Sequence, residues 1–427
     1  MDILRSLLGM VVLLGIAYLA SANRSKINWQ LVGAGIGLQI LIGVLLTKVG
    51  FIASGLQSFS AGLVTFLQSA YVGSSFLVGD LADVTNFRFA FMALAIVIFF
   101  STVTAGLYYL GVLQKLVYAI AWVMSKTMRL SGAESLSAAG NIFLGQTEAP
   151  LLVRPFIPKM TKSELMALMT GGMATIAGSV FGAYVGMLGD SPEVAANLLA
   201  ASFMNAPAAL VIAKILVPEE KPEEINTELK INKEQLGANL IDALARGASD
   251  GVKLAANIGG MLLAFVALIA AINLGLAGLG DWIGVNESIA NSTQGVFDRL
   301  SLEFLLGQVF RPVAWLIGVS WDESLLVGSL IGQKTAINEF VAYDQLGNII
   351  SENPSFLSPK SVVIASFALC GFSNFSSIAI QIGGIGSMAK GEEQGKLQAK
   401  LSKLGMRALL GATIACLMTA CIAGALF

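Results

Sequence analysis

The chain has 427 residues, of which 56% are hydrophobic and only 12% charged, with a mean hydropathy of +0.77. Soluble domains carry roughly 25% charged residues, so this chain cannot clothe itself in water and belongs in a bilayer. A net charge of −1 excludes electrostatic capture of nucleic acid, and the absence of histidine excludes His-based triads, His metal sites and a His proton relay.

Apolar stretches of about 20 residues can cross a bilayer. The first two fall near 3–21 and 28–47. Within the first, the apolar run Leu7 to Ala20 is too long for most signal-peptide cores and only Arg5 precedes it, which predicts a retained span. Segment 50–80 is semi-apolar, and its Phe51, Leu56, Phe59, Leu63 and Phe66 recur at helical spacing, which predicts a helix lying at the surface. A third span is expected near 89–113, followed by a second surface helix near 115–130 anchored by Lys115, Trp122, Lys126 and Arg129. Further spans near 163–188, 193–216, 254–279, 361–387 and 404–426 bring the crossings to eight. Pro218–Lys233 is rich in Glu and Lys and reads as a linker, closed by an amphipathic lead-in helix near 236–248. Cys370, Cys416 and Cys421 all lie in apolar runs, as small packing residues do.

One device is written twice. Glu134-Ser135-Leu136 leads to Gly145-Gln146-Thr147-Glu148, then through Lys162-Ser163 into an apolar run with Gly172-Met173-Ala174-Thr175. Glu323-Ser324-Leu325 leads to Gly332-Gln333 and Glu339, then through Lys360-Ser361 into an apolar run with Gly371-Phe372-Ser373-Asn374. Each copy pairs a broken, polar-tipped hairpin with an apolar span expected to be intact. Paired Gly-interrupted segments of this kind point to a transporter's midplane site. Lys and Arg concentrate in 22–27, 115–162, 214–253 and 390–407, which places those loops in the cytoplasm and both termini outside. Three crossings separate the hairpins, so the second copy is inverted.

The tips carry the chemistry. A carboxylate at bilayer depth costs about 2.5–3.5 kcal/mol on insertion scales, so Glu148 and Glu339 need partners or a function. Pro150 and Gly145 break the first tip into two expected half-helices, leaving bare carbonyls for a cation and bare N–H groups for a polar ligand. Lys334 in the second tip is suited to pairing with a carboxylate that the sequence does not identify. Thr175 and Ser179 share a helical face, as do Asn374 and Ser377. Thr175 alone reads as back-bonded to its own helix; the Phe372, Asn374 and Ser377 group beside a polar hairpin reads as ligand contact.

Gly145-Gln146-Thr147-Glu148-Ala149-Pro150, Asn338-Glu339-Phe340-Val341-Ala342 and Gly371-Phe372-Ser373-Asn374-Phe375 resemble the motifs of the concentrative nucleoside transporters, in order and across essentially the whole chain. The resemblance implies an all-α polytopic fold of eight transmembrane helices plus two re-entrant helical hairpins in an inverted repeat, with interfacial helices. It also implies a homotrimer in a bacterial inner membrane, a carrier and not an enzyme. Its parts would be a scaffold at 1–114 and 254–279, transport halves at 115–217 and 280–427, and a linker at 218–253. By position, Gln146, Thr147, Glu148 and Val180 would meet the nucleobase, and Glu339, Asn374, Ser377 and Phe372 the ribose. Sodium, the coupling ion and the only inorganic partner implied, would meet Asn141, Leu144, Thr175 and Ile176; Thr175 stands where some relatives have Ser. The activity implied is sodium-coupled symport of uridine-like nucleosides by an elevator motion. A proton-coupled symporter and a passive channel or facilitator are the alternatives.

Overall fold

The computed structural model of the chain describes residues 2–82, 89–230 and 237–427, which are helical with short connections. The last residues of the expected linker, 231–233, and the first of the lead-in helix lie outside the described residues. The N-terminal part comprises α1 (Asp2–Leu19), α2 (Trp29–Lys48), α3 (Gly50–Val78), α4 (Ala93–Tyr109) and α5 (Val112–Met128). The first repeat follows as α6 (Gly132–Gly140), α7 (Lys162–Ala174), α8 (Gly178–Met187) and α9 (Pro192–Leu216). Then come α10 (Leu240–Ile283) and α11 (Asn286–Ser292). The second repeat comprises α12 (Leu302–Leu316), α13 (Ser324–Ala336), α14 (Glu339–Glu352), α15 (Pro359–Leu369), α16 (Phe375–Gly386) and α17 (Glu392–Leu426).

Helix starts follow from local chemistry. Ser131 with Glu134, and Thr161 with Glu164, form capping boxes that satisfy the first N–H groups of α6 and α7. Asn338 and Asn374 cap α14 and α16 by accepting from Val341 N and Ser377 N. Pro192 and Pro359 occupy first turns, where no N–H is needed.

Five expected spans coincide with helices long and apolar enough to cross: α2, α7 with α8, α9, α10 and α17. The 3–21 span is a shorter apolar helix, and 89–113 is α4, which meets α5 at a 79° bend. Gly111 permits that bend with a left-handed backbone, φ +73°. Segment 50–80, expected on the surface, is one unbroken helix that also has the length and apolarity of a span.

Three readings need correction. The spans expected to be intact are broken: α7 and α8 part at 175–177, and α15 and α16 part at 370–374. The lead-in helix and the span after it are one 44-residue helix, α10, because no Pro interrupts 240–283 and its charges sit on an exposed face. The first tip is not two half-helices; after α6 it runs through turns and short 3-10 pieces, since Pro150, Pro155 and Pro158 remove successive N–H donors.

Burial separates interior from periphery. The apolar windows of α7–α8 and of α9 are each 94% buried, against 6% for α10. At the centre the two broken spans cross at their breaks. Gly371, at φ +113°, lies so close to Ala174 that a Cβ would sit 2.4 Å from the Ala174 carbonyl. Asn205 on α9 donates to both breaks, 2.8 Å to the Ala174 carbonyl and 3.4 Å to that of Cys370. From α17, Cys416 Sγ reaches the same two carbonyls at 3.4 and 2.8 Å.

Candidate functional site

The breaks and tips converge on one cavity of about 130 Å³. Its wall takes Gly145, Gln146, Thr147 and Glu148 from the first tip and Asn338, Glu339 and Phe340 from the second. The breaks contribute Ala177, Ser179, Val180, Phe372, Asn374, Ser376 and Ser377, and α10 closes one side with Leu254, Ile258 and Met261. The N-termini of α8, α14 and α16 therefore all end at this wall. Their unpaired N–H groups and dipoles favour negative charge, which offsets the two carboxylates.

Glu339 is 3% exposed and sits at the first position of α14. Its Oε1 accepts from Tyr184 Oη at 3.0 Å and its Oε2 from Asn374 Nδ2 at 2.7 Å. The side-chain Oδ1 of Asn374 in turn accepts from Ser377 N at 2.9 Å and Ser376 Oγ at 2.6 Å. Tyr184 is itself fixed by stacking on Tyr343, with centroids 4.5 Å apart. Charge-assisted bonds of this kind hold a buried carboxylate in a defined orientation.

Glu148, expected as a buried carboxylate, is exposed and lines the cavity. Its Oε2 accepts from Gly145 N at 3.0 Å, which closes the tip on itself. Gln146 links the two halves by donating to Ser377 Oγ at 3.2 Å. Gln146 Oε1, Ser179 Oγ and Asn338 Nδ2 are buried, line the cavity, and have no hydrogen-bond partner among the described residues. Buried polar atoms rarely stay unpaired, so this wall has capacity left for a polar ligand. Phe340, Phe372 and Val180 give it an apolar side as well. A small molecule with one flat face and several hydroxyl or amide groups would find both kinds of contact.

Every residue expected at the nucleobase or the ribose lines this cavity: Gln146, Thr147, Glu148, Val180, Glu339, Phe372, Asn374 and Ser377. The expected sodium residues form a separate cluster where the first tip packs on the α7–α8 break. Gly178 N donates to the Phe143 carbonyl at 3.0 Å, and a Cβ on Gly178 would lie 2.7 Å from that oxygen, so only glycine permits the approach. Asn141 is fully buried, and both its amide atoms lack a partner among the described residues. Among the described residues, no donor meets the carbonyls of Asn141, Leu144, Thr175 or Ile176. Thr175 Oγ1 donates to the Gly171 carbonyl at 3.0 Å, which is the back-bond its sequence suggested. Carbonyl, hydroxyl and amide oxygens suit a hard monovalent cation better than a soft metal.

Sequence reasoning missed Tyr184, Asn338 and the α10 residues. Asn338 carried a signal, since Asn-Glu before an apolar run is a helix-start pattern. Tyr184 carried none within its apolar run.

Comparison with known proteins gives a consistent result. A model described as Na+ dependent nucleoside transporter C-terminus matches residues 197–424, its N-terminal counterpart matches 8–81, and a nucleoside recognition "Gate" model matches 90–191. Solute carrier family 28 member 3 of Mus musculus is 42% identical over 98% of this chain and 58% of its own length. Sodium/nucleoside cotransporter 1 of Rattus norvegicus is 39% identical over 99% of this chain and 63% of its own length. The chain thus spans about three fifths of these mammalian relatives. The uncharacterized transporter YutK of Bacillus subtilis is 42% identical over 99% of both chains. The structure of CNTnw in an inward-facing substrate-bound state superposes with a TM-score of 0.90 at 42% identity, covering 100% of this chain and 98% of that one. With likeness running from end to end, the chain is a helical membrane protein that belongs to the Na+ dependent, concentrative nucleoside transporter family, whose members are carriers and not enzymes.

Proposed function

We propose that the chain is a sodium-coupled nucleoside symporter of a bacterial inner membrane, taking uridine-like nucleosides by an elevator-type alternating access. The observation that carries this reading is the meeting of two inverted tips, through Glu148 and Glu339, at one partly apolar, partly unsatisfied cavity. Gln146, Thr147 and Glu148, with Val180, receive the base edge. Glu339, Asn374 and Ser377 receive the vicinal ribose hydroxyls, and Phe372 packs against the ligand. A carboxylate accepts from two adjacent hydroxyls, whereas an amide both donates and accepts.

Sodium takes the cluster of Asn141, Leu144, Thr175 and Ile176, and the unclaimed oxygens there support the choice over a proton. The tip residues that bind the cation run directly into those that bind the nucleoside. Each ligand therefore tightens the other's site by the same factor, typically about 1–3 kcal/mol of coupling. Residues 1–114 and 254–279 act as the fixed scaffold, in a homotrimer with both termini outside the cytoplasm.

The test is uptake of labelled uridine by vesicles holding the purified protein, with sodium and proton gradients imposed separately. Accumulation above the external concentration is expected only with an inward sodium gradient. Accumulation driven by protons alone, or equilibration without accumulation, would replace this reading with a proton symporter or a facilitator respectively.

A further inference from the structure

The two halves treat their breaks differently, and the difference centres on Lys334. In the first half, the Asn141, Leu144, Thr175 and Ile176 carbonyls are left without donors among the described residues, whereas the Ala174 carbonyl accepts from Asn205 and Cys416. In the second half, the residue after Gly332-Gln333, in the last turn of α13 just before the tip, is a lysine. Lys334 is 2% exposed, and its ammonium donates to the Ala368 carbonyl at 2.9 Å and the Cys370 carbonyl at 3.4 Å, at the C-terminal end of α15. Among the described residues no carboxylate lies within ion-pair distance of it. A buried ammonium without a counter-ion is costly. Here the Ala368 carbonyl, the Cys370 carbonyl that Asn205 and Cys416 also meet, and the negative dipole end of α15 solvate it.

We infer that Lys334 is a tethered counterpart of the coupling cation: its ammonium performs at the second break the charge and backbone-fixing role that sodium performs at the first. The inference rests on the sodium-coupled reading above. By holding the Cys370 carbonyl, Lys334 fixes where the chain turns through Gly371 into Asn374, and Asn374 orients Glu339. Lys334 is thus a positioning residue that touches no nucleoside. Because the protein supplies this second cation itself, the pair of breaks takes up one external cation per nucleoside.

The experiment compares wild-type, Lys334→Met and Lys334→Ala proteins in vesicles under a sodium gradient, with folding monitored by thermal unfolding. Methionine keeps the length and removes the charge, so uridine uptake is expected to fall about 10- to 100-fold, the scale of losing hydrogen bonds from a charged group. Lys334→Ala is expected to fall equally and to recover severalfold when methylammonium is added, whereas Lys334→Met, whose side chain fills the space, does not recover. Uptake by Lys334→Met within twofold of wild type would overturn the inference, as would an alanine variant unmoved by methylammonium. If neither variant folds, the wild-type sodium titration still decides. A Hill coefficient of about one supports the inference, and a value near two overturns it. Absence of any sodium-driven uptake by the wild type would instead remove the underlying functional reading.

Discussion

The first and second repeats use a glutamate at the start of the tip segment to tie it to the following span, yet they neutralise it in opposite ways. In the first repeat, Glu134 forms a fully buried ion pair with Lys214 of α9, and Lys214 also donates to Ser163 Oγ at 2.9 Å. In the second, Glu323 is partly exposed and accepts from Ser358 N at 2.8 Å, Ser358 Oγ at 3.1 Å and the Ser361 hydroxyl, with no cation in ion-pair distance among the described residues. At the breaks the assignment reverses, and the second repeat holds the built-in cation. A duplicated architecture therefore fixes where charge is needed but not which atom supplies it.

The comparison breaks most severely at Glu134. Glu134→Ala leaves the Lys214 ammonium with only Ser163 Oγ and the more distant Glu219 carboxylate, 3.9 Å away, and removing one partner of a buried pair costs about 3–5 kcal/mol. A large fall in the thermal unfolding temperature of the solubilised protein should follow, with most of it regained in Glu134→Ala combined with Lys214→Met. No recovery in the double variant would tell against an ion-pair origin. Next in size is the binding wall: Asn374→Ala or Glu339→Gln should reduce uridine uptake about 10- to 100-fold, since a hydrogen bond to a charged group is worth about 1.5–3 kcal/mol. Unfolding temperatures close to wild type would show that the loss is in binding, and wild-type uptake in both variants would remove the ribose assignment.

Glu323→Ala, in a partly exposed setting and with neutral partners, should cost only about 1–3 kcal/mol. A loss as large as that of Glu134→Ala would erase the distinction between the halves. The smallest effect is expected at the cation cluster. Thr175→Ala removes one hydroxyl among several oxygens, so the half-saturating sodium concentration should rise about 2- to 10-fold, in line with one neutral hydrogen-bond-scale contact. Uptake at saturating sodium should change little. An unchanged sodium titration would take Thr175 out of the cluster.

The two tips and their residues were legible because Gly, Pro, Gln and Glu are out of place in apolar sequence and because the pattern occurs twice. That repetition alone is enough to match Glu148 with Glu339. The breaks at 175–177 and 370–374 were not legible as breaks. Thr175, Ser373 and Asn374 are short polar residues inside long apolar runs, and averaging over a span's length hides three to five residues of non-helical backbone. The α10 helix was misdivided for the opposite reason: Asp242, Arg246, Asp250 and Lys253 read as loop charge, although they sit at helical spacing on an exposed face. Contacts across more than a hundred residues, such as Tyr184 to Glu339, have no local signature at all.

Asn205 has a consequence for how any cargo moves. Its amide nitrogen reaches carbonyls on both interrupted helices, and Cys416, whose sulfur lies 3.8 Å from that nitrogen, reaches the same two. Prising one interruption away from the other would strip all of these contacts at once in a region shut off from water. Jaw-like opening along that seam is thereby disfavoured, and the floor beneath the cavity holds together as a single keystone.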